Sequence, residues 1–196
     1  MKFSIIIPAY NSEKYIVKAL NSIQRQTYKD YELLVICDSC TDNTEEVAKS
    51  YGAITVPVNY HLDGLTRNKG IDMAKGEWVL FMDDDDWWMN DQVLDNLANI
   101  VGKHGEDVLR FGFFWQGKGY MGPGDWIAVW NKCWNRKFIG DTRFSSVKWW
   151  SDIDFDKAMQ AKRPVYYDWD RPVYYYNYMR EGSISWENSH DNSHEV

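Results

Sequence analysis

Four consecutive aspartates, Asp83-Asp84-Asp85-Asp86, follow directly on the apolar run Trp78-Val79-Leu80-Phe81-Met82. Like charges at that density repel, so a fold keeps them where they are solvated or where something positive binds. The apolar run reads as a buried strand, which puts the carboxylates at its carboxyl end. In open α/β sheets that edge is where ligands bind. Hard divalent cations (Mg2+, Mn2+) take oxygens from one or two carboxylates and fill the rest of their shell with phosphate and water. The run therefore points to a site for a metal and a diphosphate. An EF-hand is excluded, because its loop needs spaced oxygen ligands, a glycine and a terminal glutamate.

The residues before it alternate strand and helix. Apolar runs at 3–7, 31–37 and 54–58 read as strands, and 77–82 as the strand that feeds the acidic run. Helices are expected at 12–26, with Tyr15, Ile16, Ala19, Leu20 and Ile23 on one face, and from Asp42 to about Tyr51, where Gly52 stops it. Asn11 or Ser12 is the expected cap of the first, and Asp42 with Glu45 the capping box of the second. Further helices are expected at 65–75 and 90–103. Strands separated by helices mean parallel βαβ units. In the second half, 108–114 reads as a strand, 117–124 as a glycine-rich loop, and 128–134 and 147–161 as helices. Arg163-Pro164-Val165-Tyr166-Tyr167 is nearly repeated at Arg171-Pro172-Val173-Tyr174-Tyr175, and the copies read as two short strands opened by proline. The last ten residues are polar and read as frayed. No Pro- or Gly-rich linker divides the chain, so one α/β domain is expected over 1–196, with a nucleotide-binding half to about 105 and an aromatic-rich half from about 106.

Composition narrows the partners. The 196 residues suffice for one core, and a formal net charge of -7 argues against a nucleic-acid backbone. No apolar run approaches the length of a membrane span. The opening residues are too quickly broken by Pro8 for a signal peptide. Cys37, Cys40 and Cys133 are too few and too odd in number for a disulfide framework, and Cys37-x-x-Cys40 lacks a second ligand pair for zinc. A reduced, cytoplasmic, soluble chain is the consistent expectation. Eleven tryptophans and thirteen tyrosines lie mostly in the second half, where ring faces suit sugars or bases.

Four segments then carry a family resemblance. They are Ser4-Ile5-Ile6-Ile7-Pro8-Ala9-Tyr10-Asn11; Glu32 through Asp42, read Glu-Leu-Leu-Val-Ile-Cys-Asp-Ser-Cys-Thr-Asp; Thr66-Arg67-Asn68-Lys69-Gly70-Ile71 with Ala74-Lys75-Gly76-Glu77; and Met82 through Trp87. In this order and spacing they resemble family 2 glycosyltransferases of the GT-A fold. The family usually has a second aspartate and a glycine where this chain has Cys37 and Ser39. The resemblance implies a Rossmann-like, mostly parallel sheet flanked by helices. It also implies a nucleotide-sugar donor, UDP-linked, a saccharide or glycoconjugate acceptor, and a Mn2+ or Mg2+ cofactor.

Carried over residue by residue, it implies that Pro8, Ala9, Tyr10 and Asn11 wall the base, and that Asp38 accepts from the uracil N–H. Arg67 and Asp84 lie by the nucleotide, Asp83 meets the ribose or the metal, and Asp85 holds the metal. If the acidic segment is extended, Asp83 and Asp85 face one way and Asp84 the other; Asp86 is a supporting residue. Ser151-Asp152-Ile153-Asp154-Phe155 resembles the family segment that carries the base, which makes Asp152 the base and Asp154 its rival. Arg180 and Ser183 resemble a late loop that closes over the diphosphate, and His190 or His194 is a candidate further metal ligand. Trp87, Trp88, Trp149 and Trp150 flank the two acidic sites and are candidates to line the sugar pocket. Two other classes remain open: a nucleotidylyltransferase, which would carry a glycine-rich phosphate loop where Pro8-Ala9-Tyr10-Asn11 stands, and a non-catalytic sugar- or cation-binding module.

Overall fold

The computed structural model describes residues 1–124 and 126–178. Its first half is the expected alternation: β1 (Phe3–Ala9), α1 (Ile16–Gln24), β2 (Tyr31–Asp38), α2 (Thr44–Ser50), β3 (Ile54–Val58), α3 (Asp63–Met73) and β4 (Trp78–Phe81). The four strands are parallel in the order β3-β2-β1-β4. Successive side chains of a strand point to opposite faces, and each face has its own core. Ile5, Ile7, Leu33 and Val35 pack with α1 residues Ile16, Ala19, Leu20 and Ile23 on one side. Ile6, Leu34, Ile36, Val79 and Phe81 pack on the other.

The second half continues the sheet. It runs β5 (Trp87–Trp88), α4 (Val93–Ile100), β6 (Val108–Trp115), β7 (Gly119–Met121), β8 (Lys132–Asn135), α5 (Arg136–Ile139), α6 (Ser151–Ala161) and β9 (Tyr166–Tyr176). The full order is β3-β2-β1-β4-β8-β6-β9-β5, with β7 on β6. β6 and β9 are parallel, but β8 runs antiparallel to both β4 and β6. The result is a mixed sheet flanked by helices. Among the described residues no helix is long and apolar enough to cross a membrane.

Several local expectations give way to tertiary context. Residues 132–135 are the strand β8, not helix: Trp134 pairs with Val79 and Val108, and Cys133 with Leu80 and Leu109. Both side chains are fully buried between the layers, and that burial overrides helix spacing. The two Pro-opened segments are one strand, β9; a register irregularity around Gly112 lets Pro172 sit opposite without a ladder hydrogen bond. The glycine loop holds β7, a hairpin partner of β6 entered through Gly117 and Gly119 at φ +80° and +91°. α1 begins at Ile16 without a side-chain cap. Asn11 Oδ1 accepts from Thr41 N–H instead, and the Ser12 amide donates to Thr44 Oγ1. Asp42 does accept from the Thr44 amide at the start of α2, but Glu45 turns to Lys49 and Thr55 rather than closing a box.

Candidate active site

The carboxyl ends of β1, β2 and β4 form one edge. Pro8 and Ala9 end β1, so Tyr10 emerges with 61% of its surface exposed, and Asn11 turns the chain at φ +46°. The Tyr10 amide donates to Asp84 Oδ2 at 3.3 Å, which joins the first loop to the acidic loop. Asp38, at the end of β2, is buried and accepts five hydrogen bonds. Oδ1 takes the Tyr60 and His61 amides at 2.7 and 3.0 Å and the Ser39 hydroxyl at 3.0 Å. Oδ2 takes the Leu62 amide at 3.1 Å and the Thr66 hydroxyl at 2.8 Å. A carboxylate offers about four lone-pair sites, so this one is filled from within. Burial pushes its carboxyl up, and the hydrogen bonds from His61, Thr66, Tyr60 and Ser39 more than offset that, leaving it below the ordinary value.

Arg67 lies one turn into α3 and is 4% exposed. Its guanidinium pairs with Asp63 one turn earlier, with Asp83 Oδ1 at 2.6 Å, and with Asp152 Oδ1 at 3.8 Å. One planar cation thus gathers carboxylates from α3, the end of β4 and the start of α6. The Asp63 partner is an i,i+4 pair, a spacing the sequence itself carries.

Residues 83–86 form a turn, not the extended segment that alternation would need: the Asp86 amide donates to Asp83 O at 3.2 Å. The cause is Asp86, whose side chain is fully buried and accepts from the Asn177 amide at 2.7 Å. Burial, then Asp83 and Asp85, push its carboxyl well up, against hydrogen bonds from Asn177 and Tyr174. Tyr174 also accepts from the Asp83 amide at 3.0 Å, so β9 fixes the turn at two points. In the sequence Tyr174 stands out only as part of the near repeat. Asp83, Asp84 and Asp85 stay half-buried at the edge. Among the described residues no three His, Cys, Asp or Glu converge into a closed metal cage. Two half-buried carboxylates on one turn fit a different donor set, the open pair that Mg2+ or Mn2+ uses beside phosphate and water.

Asp152 is the second residue of α6. Its Oδ1 is buried and has no hydrogen-bond partner, a condition that native interiors rarely leave without a use. Burial pushes its carboxyl up; Arg67 opposes this, Asp83 adds to it, and Lys132 opposes it again. Asp154 is exposed and accepts from the Ser145 hydroxyl at 2.7 Å. Of the four tryptophans, Trp88 is in the core, and Trp87 is stacked on Tyr175 with Lys18 also against its ring. Trp149 is half-buried beside Lys148, while Trp150 is 67% exposed at φ +67°, just before α6. Arg180, Ser183, His190 and His194 lie outside the described residues.

This chain resembles known proteins over most of its length. Over 117 residues, 56% of the chain, it is 38% identical to the poly(ribitol-phosphate) beta-N-acetylglucosaminyltransferase TarS of Staphylococcus aureus, and that match spans 20% of TarS. It is 34% identical over 119 residues to the amylovoran biosynthesis glycosyltransferase AmsB of Erwinia amylovora, covering 57% of this chain and 40% of that protein. The chain thus spans well under two thirds of these relatives. The solved structure of S. aureus TarS 1–349 in complex with UDP-GlcNAc superimposes with a TM-score of 0.81 at 28% identity, over 93% of this chain and 60% of that one. A Pyrobaculum calidifontis mannosyltransferase, at 14% identity and a TM-score of 0.77, shares the fold. The model of glycosyl transferase family 2 matches residues 4–166. With the carboxyl ends of β1, β2 and β4 and Arg67 of α3 brought to one sheet edge, and that match covering most of its length, the chain belongs to glycosyl transferase family 2.

Proposed function

We propose that this chain is the donor-binding and catalytic part of an inverting, divalent-metal-dependent glycosyltransferase. It moves a sugar from a UDP-linked donor to a hydroxyl of a saccharide or glycoconjugate. The observation that carries this reading is Arg67 bridging Asp83 and Asp152, at 2.6 and 3.8 Å, with Asp152 Oδ1 buried and accepting no hydrogen bond. A donor-side carboxylate and a candidate base are then close neighbours across one cation.

Pro8, Ala9, Tyr10, Asn11 and Asp84 wall the nucleotide, and Tyr10 has the exposed ring to stack on a base. Asp38 holds the residues 60–66 around that wall, and a base N–H reaches its carboxylate only by displacing one of five donors. Asp85 and Asp83 would hold the metal. Bound there, the cation would offset negative charge on the leaving diphosphate. Arg67 supplies a fixed positive charge at the same edge. Asp152 takes the proton from the acceptor hydroxyl. The exposed Trp150 ring stands beside it for the sugar or acceptor.

Asp152→Asn tests the reading. Nucleotide affinity in Mn2+ should hold, and transfer should fall by about 10²–10⁴-fold, the usual worth of a general base. Turnover that survives removes Asp152 from that role; a wild-type protein that binds UDP but turns over no UDP-sugar is a binding module.

A further inference from the structure

A lysine in the middle of a mixed sheet is an expensive choice of residue. Lys132, on β8 between β4 and β6, is 1% exposed. An apolar side chain of similar length would fill that space without the cost of desolvating an ammonium. The ammonium is held instead. Nζ donates to the carbonyls of Trp126 and Ala128, the latter at 2.6 Å, and to Asn131 Oδ1 at 3.4 Å. It also lies 3.6 Å from Asp156 Oδ1. Asp156 is four residues after Asp152 on α6, so the two carboxylates share a helix face.

The 126–131 segment is coupled to the donor edge as well. Trp130 stacks on Tyr174 at 4.7 Å between centroids, and Tyr174 accepts from the Asp83 amide. Lys132 therefore stands where three things meet: the carbonyls of that segment, the helix that bears the candidate base, and the strand beside the acidic turn. Arg67 pairs with Asp83 and Asp152, and Lys132 pairs with Asp156 one turn further along α6.

We propose that Lys132 is a positioning residue of the transfer site, which fastens the 126–131 segment to α6 and sets a positive charge one turn from Asp152 on that helix. The proposal rests on Asp152 acting as base. Four charged groups act on Asp152: Arg67 from α3, Lys132 from β8, Asp83 from the turn after β4, and Asp156 from its own helix. Arg67 is divided among Asp63, Asp83 and Asp152 and faces the edge where a diphosphate would compete for it. Lys132 comes from a different element and is committed to the α6 side. Around Lys132 itself, burial pushes the ammonium down to about 8; Asp156 and Asp152 oppose that, and Arg110 on β6 adds to it.

The test uses three variants of the full chain: K132M, K132R and K132M/D156M, the last of which removes both buried charges together. UDP affinity is measured by calorimetry with Mn2+, hydrolysis of UDP-GlcNAc as a function of pH, and amide exchange at 126–131. K132M should keep UDP affinity, lower the hydrolysis kcat by about tenfold or more, and move the acid limb of its pH profile upward. K132R should keep that limb where the wild type has it, and the double variant should move it less than K132M, because an opposing carboxylate leaves as well. Amide exchange at 126–131 should quicken in both methionine variants. If K132M does not fold, the double variant carries the comparison. An unshifted acid limb together with unchanged exchange overturns the proposal. A wild type that binds no UDP sinks the transferase reading instead, and amide exchange alone then decides whether Lys132 fastens the segment.

Discussion

Asp38 and Asp152 are both carboxylates at the same sheet edge, and their surroundings push them opposite ways. Asp38 is saturated by five internal donors and held below its ordinary value. Its contribution to stability is therefore full above the unfolded-state value and is lost as pH falls through the lowered folded one. Asp38→Asn strands amides of residues 60–62 and should destabilise the fold by about 2 kcal/mol at neutral pH. That difference should shrink in acid, as urea midpoints at the two pH values would report. Asp152 is shifted upward by burial, so ionising it costs more in the fold than in the unfolded chain, and that cost is carried at neutral pH. Asp152→Asn should therefore leave thermal stability unchanged or raised while it stops transfer, the mark of a residue kept for chemistry. Sequence could find both positions, because each sits in a short ordered motif. It could not find that Asp38's lone pairs are filled from residues 60–66, nor that Lys132 is buried, because β8 lies between β4 and β6 only once the sheet is assembled.

Elements were legible where one rule sufficed. β1 to β4 and α1 to α3 follow from short apolar runs alternating with helically spaced ones, and α3 shows why one glycine matters. A Cβ on Gly70 would overlap Ile6 Cγ2 on β1, so the helix lies against the sheet only because that side chain is absent. Gly70→Ala should lower stability by about 1–3 kcal/mol, the usual cost of overpacking. It should also weaken UDP binding, since α3 carries Arg67 three residues earlier; unchanged affinity would show that Arg67 is not placed by this contact. β8 and β9 were misread because their pattern is set by neighbours. Trp134 and Cys133 are buried on a strand whose partners, β4 and β6, lie on either side of it, and no local spacing reports that. The acidic turn was misread for a similar reason: Asp86 is drawn inward by Asn177 and Tyr174, almost a hundred residues on.

At the scale of the molecule, one mixed sheet carries the acidic edge and the aromatic half together. The parallel half presents Tyr10, Asp38 and the acidic turn; the second half contributes α6 with Asp152 and pins the turn through Tyr174. Arg67 and Lys132 are buried cations beside Asp152 on α6, where the halves meet. A net charge of -7 sets the requirement for such cations, because an acidic edge cannot take a diphosphate without positive charge. The central claim is that the acidic turn supplies what Arg67 does not, a seat for a divalent ion against the nucleotide. Calorimetric titration of UDP into the wild type and into Asp85→Ala, each with Mn2+ and with chelator, tests it most directly. Chelation and the substitution should each weaken binding by about tenfold or more, a loss of at least about 1.4 kcal/mol, and the two losses should not add. UDP affinity that is indifferent to both metal and Asp85 would contradict it.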